Sequence, residues 1–152
     1  MSLSHYRWLL LPLCWAPMAH SGVLLEKISS PGFVMPSYAA GKNCAIRENG
    51  QLSMRYQLDD MNSSHTLTLH LSKSSINTKI SEASLGVIHS EAFPVDANSV
   101  LYRAYQKQVD GSVKTVLLYE ENGGSGEKKV NDSESAVALR NFIDLNCGDA
   151  LR

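Results

Sequence analysis

Apolar and polar residues alternate along much of this chain, at the two-residue spacing of half-buried strands. Thr66 to Leu71 is the cleanest run, with Leu67, Leu69 and Leu71 on one side and Thr66, Thr68 and His70 on the other. It predicts an antiparallel strand with one wet face. Leu52, Met54, Tyr56 and Leu58 repeat the pattern against Ser53, Arg55 and Gln57. Glu48-Asn49-Gly50-Gln51 separates this run from Asn43–Arg47, and the Asn-Gly pair predicts a type I′ hairpin with positive φ at both central residues. Asp110-Gly111 predicts a second hairpin between Ser99–Val109 and Ser112–Glu120. There Val113, Thr115, Leu117 and Tyr119 form one face, and Lys114, Val116, Leu118 and Glu120 the other. Apolar residues on both faces predict an interior strand covered on each side.

The remaining strand signals are shorter. Val23–Ile28 predicts an edge strand, broken by Ser30-Pro31-Gly32, and Pro36 confines Phe33–Tyr38 to an edge or an irregular crossing. Ala39-Ala40-Gly41 reads as a turn, Asp59–Ser64 as a polar loop, and Gly86–His89 as a short strand ended by Phe93-Pro94.

Helical spacing replaces alternation near the C-terminus. Asn131-Asp132-Ser133-Glu134 has the form of a capping box, with Asn131 as N-cap and Glu134 reaching back. A helix to about Asn146 would bury Ala136, Leu139, Phe142, Ile143 and Cys147, with Gly148 in the left-handed position beyond it. Ser72–Ala83 stays open: Ile76 and Ile80 sit four apart as on a helix, but serine and threonine are dense. The elements together predict an α+β fold, a mainly antiparallel β-sheet with a C-terminal α-helix packed on it.

The N-terminus changes the picture. Met1–Arg7 carries one fixed positive charge, Trp8–Ala16 is apolar, and Ala19-His20-Ser21 offers small residues for cleavage. This is the layout of a secretory signal peptide, residues 1–21, cleaved after Ser21. Residues 22–152 would then form a single globular domain in the periplasm or outside the cell. The apolar run, interrupted by Pro12 and Pro17, is too short to span a bilayer. A lipoprotein needs a small residue before Cys14, where Leu13 stands. Both tryptophans, Trp8 and Trp15, leave with the signal.

Cleavage also discards Cys14, leaving Cys44 and Cys147. An even pair in an exported domain predicts one disulfide, with two free thiols as the alternative; no C-x-x-C redox motif is present. Loss of Arg7 takes the formal charge from −1 to −2. A near-neutral chain lacks the basic field that nucleic acid or an anionic membrane requires.

No recognisable catalytic or cofactor motif emerges. His65 and His70, five apart on a strand, fall on opposite faces, so they do not form a metal site with His89. Gly123-Gly124-Ser125-Gly126-Glu127 fails the nucleophile-elbow pattern, because Glu127 stands where glycine is needed. Asp59 and Asp60 share one solvated loop and lack the ligand series of a calcium loop. No cofactor is expected.

Two segments suit partner binding. Glu121, Asn122, Gly123, Gly124, Ser125 and Gly126 read as a flexible loop between strands, and loops on a rigid scaffold carry binding residues. Tyr102, Arg103 and Tyr105 are of the types enriched at interfaces, although opposite parity lets at most one tyrosine face out. The expectation is an exported, non-enzymatic protein-binding domain of inhibitor or immunity type. Its partner would be another protein, an envelope or secreted hydrolase or toxin. The alternatives are a structural accessory of an envelope or secretion assembly, docking by strand addition at Val23–Ile28, and a minor hydrolase with an unfamiliar site.

Overall fold

The computed structural model describes residues 22–32, 40–58 and 61–148. The predicted signal, Phe33–Tyr38, Asp59 and Asp60 lie outside the described residues. The elements are β1 (Val23–Ser30), β2 (Ala40–Arg47), β3 (Gln51–Leu58), β4 (Met61–Thr68), α1 (Lys73–Ala83), β5 (Ile88–Ala92), β6 (Ser99–Lys107), β7 (Val113–Asn122), β8 (Glu127–Asn131) and α2 (Glu134–Cys147). All strands join one antiparallel sheet in the order β4-β3-β2-β1-β6-β7-β8-β5. The fold is α+β, with the C-terminal helix on the sheet and a Cys44–Cys147 disulfide, as the sequence predicts. Ser72–Ala83 resolves as helix α1, which buries Ile76, Ile80 and Ala83.

Residues opposite one another on neighbouring antiparallel strands share a face. Leu52, Ile46, Leu25, Ala104 and Val116 therefore form one row across five strands, and all are buried. The next row on this face is Met54, Cys44, Lys27, Tyr102 and Tyr119. α2 answers it. Asp144 accepts from Tyr102 and Lys27, Cys147 closes the disulfide with Cys44, and the Arg140 guanidinium lies 4.8 Å from the Tyr119 ring centre. Leu139 and Ile143 of α2 complete this core.

Two register shifts feed that core. Leu24 is the extra residue in β1 between the pairs Val23–Arg47 and Leu25–Ile46. Leu118 is the extra residue in β7 between Tyr102–Tyr119 and Arg103–Leu117. A bulge lets consecutive residues turn to one side, and Leu24 with Leu25, and Leu118 with Tyr119, join the same cluster. Strict alternation in β7 therefore fails. Covering on both faces fails too, since Val113 is 61% exposed.

Several sequence expectations shift. β1 is interior, between β2 and β6, not an edge strand. Ala40-Gly41 begins β2 instead of completing a turn, and β4 begins at Met61, within the expected polar loop. Leu67 is 55% exposed, because β4 is an edge that neither helix covers. Both hairpins close with a glycine N–H bonded three residues back, Gly50 to Arg47 O and Gly111 to Gln108 O. Only the glycines, at φ 82° and 84°, have positive φ, so each is a three-residue loop ending in a left-handed residue, not a type I′ turn.

The α2 cap is Ser133, whose hydroxyl accepts from Ala136 N. Asn131 is instead the buried end of β8. Its amide donates to Ala83 O and Leu117 O, and its Oδ1 accepts from the Ser133 N–H and hydroxyl. Gly148 ends α2 at φ −58°, outside the left-handed region.

Candidate functional site

The helices cover one face of the sheet. Among the described residues no helix covers the other, where Ser53, Ala45, Glu26, Arg103 and Leu117 form a cross-strand row. Glu26 is the hub. Its Oε2 accepts from Arg103 Nε at 2.7 Å and from the Tyr105 hydroxyl at 2.6 Å, while its Oε1 accepts from Asn43 Nδ2 at 3.1 Å. The Arg103 guanidinium stacks 5.5 Å from the Tyr105 ring centre. Three strands, β1, β2 and β6, supply these groups, so backbone pairing fixes their spacing.

Burial alone would raise the Glu26 pKa. The hydrogen bonds from Tyr105, Arg103 and Asn43 and the Arg103 charge outweigh it and hold the carboxyl below its ordinary value. Tyr105 is pushed up to about 12 by burial and by the carboxylate it bonds. At neutral pH Glu26 is thus a carboxylate and Tyr105 a phenol, both held against the Arg103 guanidinium. A carboxylate whose oxygens already accept three bonds is a poor proton acceptor, so the arrangement suits recognition better than acid–base chemistry. A cleft of about 340 Å³ adjoins it, lined by Glu26, Arg103 and Tyr105 together with Glu48, Lys107 and Val113. A larger cleft of about 640 Å³ opens between Ser29–Ser30, Lys42 and Arg55–Tyr56. No site is assigned to it.

The sequence candidates divide. Arg103 and Tyr105 belong to the Glu26 cluster. Tyr102 lies on the helix side, buried edge-on to Tyr119 at 5.9 Å between ring centres, with its hydroxyl on Asp144 at 2.8 Å. The opposite parity of the two tyrosines holds, and Tyr102 is a core residue.

Glu121–Gly126 sits at the far end of the β6–β7 ladder, where Glu121 pairs with Val100, away from the Tyr105–Thr115 pair. The tip is clasped, not free. Asn122 Oδ1 accepts from Gly124 N and Ser125 N, at 3.0 and 3.1 Å. Gly123 N donates to Ser99 Oγ, while Gly123 O and Gly126 O accept from Asp96 N and Phe93 N. A Cβ on Gly123 would fall 1.9 Å from Ala97 O, so this close approach requires glycine. Gly124 and Ser125 remain exposed. Glu121 accepts from the Tyr119 hydroxyl, and burial together with that carboxylate pushes Tyr119 to about 12.

Glu26 and Asn43 were not singled out by the sequence. The one available signal is the Glu26-Lys27 pair, two charged residues between Val23–Leu25 and Ile28, but the Arg103 partner of Glu26 stands 77 residues away. His65, His70 and His89 are all exposed, and the described residues hold no group of three metal-ligating side chains. The chain matches no protein-family model and no curated protein.

Proposed function

We propose that this chain is an exported, non-enzymatic binding domain of inhibitor or immunity type. In this reading it docks on a hydrolase or toxin outside the cytoplasm through the helix-free face of its sheet. The observation that carries the reading is the Glu26–Arg103–Tyr105–Asn43 network. It is a rigid, charged and aromatic cluster, prepaid in entropy by the sheet, of the kind that anchors interfaces. The clasped turn at Asn122–Gly126 is a second contact of the same preorganised type. The disulfide is compatible with an oxidising compartment.

The test is capture by the oxidised protein, produced with its own N-terminal segment and immobilised, from envelope and secreted extracts. The expected result is one hydrolase or toxin, retained stoichiometrically, silenced on binding, and lost with Arg103→Glu while the disulfide and near-ultraviolet spectrum stay intact. A partner indifferent to Arg103→Glu and to Ser125→Arg would exclude both surfaces. An empty column would count against protein binding altogether.

The accessory reading keeps one supporting observation. Strand addition cannot use Val23–Ile28, which is interior, but Met61–Thr68 is the terminal strand of the sheet among the described residues. A membrane assembly on the same column, released by Thr66→Pro, would favour that role.

A further inference from the structure

The sheet ends on one side at β5, Ile88-His89-Ser90-Glu91-Ala92, and all five residues are exposed. This edge has no proline, no lysine and no register shift, the devices that usually protect a terminal strand. Its hydrogen-bonding phase follows from its neighbour. Phe93 N donates to Gly126 O at 2.8 Å, continuing the register that sets Ala92 opposite Glu127. Backbone groups alternate sides along a strand, so His89, Glu91 and Phe93 turn theirs toward β8. Ile88, Ser90 and Ala92 turn theirs outward.

We propose that β5 is a homodimer interface, at which it pairs antiparallel with β5 of a second copy about a two-fold axis through Ser90. This register sets Ile88 opposite the partner's Ala92 and Ser90 opposite the partner's Ser90, so every outward-facing residue meets another. It also sets His89 opposite the partner's Glu91, twice by symmetry. Opposite charges across a non-hydrogen-bonded pair are favourable, and like charges there are not. Sliding the register two residues either way would face His89 with itself or Glu91 with itself. Each carboxylate and imidazole already has a neighbour in its own chain: Lys128 Nζ lies 3.2 Å from Glu91, and His89 Nε2 lies 3.8 Å from Asp132. Pairing would join them into one row of alternating sign, Lys128, Glu91, the partner's His89, the partner's Asp132. A second copy is therefore the occupant that the edge itself specifies. The other edge, β4, offers no such match, because His65 is the one ionisable residue between Ser63 and Thr68. Leu85 and Val87, 84% and 69% exposed beside β5, add apolar surface that pairing would cover.

Sedimentation velocity of the oxidised protein over a concentration series tests this. The expected result is a reversible monomer–dimer equilibrium. Ser90→Pro removes an N–H at the axis and abolishes the dimer, while Thr66→Pro on β4 leaves it. His89→Glu faces two carboxylates and weakens association about tenfold, the scale expected when two cross-strand pairs change sign. Adding Glu91→Lys to that variant restores opposite charges and recovers the dimer. The last two variants leave the backbone alone, so they stay informative even where Ser90→Pro does not fold. A monomer at every concentration overturns the proposal, as does a dimer that survives His89→Glu or is lost with Thr66→Pro.

Discussion

Glu26 sets the chemistry of the helix-free face, and its titration is visible from outside. Its carboxyl is held below its ordinary value of 4.5 against the effect of burial. A carboxyl with a depressed folded pKa stabilises the protein above its unfolded value, and that contribution is lost as pH falls through the folded one. Stability should thus decline from about pH 4.5 downward, and Glu26→Gln should flatten that decline while costing about 1–2 kcal/mol at pH 7. Urea midpoints between pH 7 and pH 2 give both quantities, and superimposable acid limbs would remove Glu26 from the acid response. Tyr105 and Tyr119 run the other way. Burial and a bonded carboxylate push both to about 12, so the stability they lend is complete below pH 10 and lost as pH rises through 12. In absorbance titration Tyr105 and Tyr119 should resist ionisation until about pH 12, and burial raises Tyr102 above the ordinary value too; Tyr105→Phe and Tyr119→Phe should each delete one of the phenols titrating at about 12, and ionisation of every phenol near pH 10 would contradict this. The sequence made part of this legible. Parity alone separates Tyr102 from Tyr105, but it cannot join Glu26 to Arg103, because that contact depends on which strands are neighbours.

The two hairpins use the same turn but stand in different surroundings. Gly50 and Gly111 both have positive φ, at 82° and 84°. A Cβ on Gly50 would fall 2.4 Å from Leu69 O, whereas one on Gly111 would meet nothing within 4 Å. Gly111→Ala should therefore cost about 1 kcal/mol, the left-handed penalty alone. Gly50→Ala should cost at least about 2 kcal/mol, because backbone must also move. Chemical denaturation of the pair checks the difference, and equal costs would mean that the β3–β4 end yields freely. Asn-Gly and Asp-Gly announced both hairpins because only a few residue types reach positive φ. The turn type was not legible, since it depends on where strand pairing stops. Asn131 shows the same limit: its side chain suits a helix cap, yet the neighbouring Ala83 and Leu117 carbonyls recruit it into the core.

At the scale of the whole molecule, the sheet of the described residues divides into two sequence-contiguous halves, β1–β4 and β5–β8, joined along the β1–β6 seam. The disulfide straps that seam, because Cys44 lies in the first half and Cys147 on the helix that follows the second. The loop it closes spans 103 residues, for which chain entropy gives about 4–5 kcal/mol. Reduction, or Cys44→Ala with Cys147→Ala, should lower unfolding free energy by about 3–5 kcal/mol in equilibrium denaturation. A loss below about 1 kcal/mol would show that the β1–β6 ladder and helix packing hold the halves together without it. Fold class and disulfide were legible because alternation, capping signals and an even cysteine pair are local or countable. Strand order was not, and so β1 reads as an edge while standing at the centre.

With Cys44 and Cys147 joined, the oxidised molecule is covalently a ring of residues 44–147 with two tails. A ring cannot be drawn single file through a narrow pore; it must pass as two strands abreast. Any membrane crossing by an extended chain must therefore precede ring closure, and closure must wait until Cys147 has emerged. A single backbone cut within the ring would open the chain without releasing a fragment. Until the disulfide is reduced, a nicked molecule would differ from an intact one only by the water added at the cut.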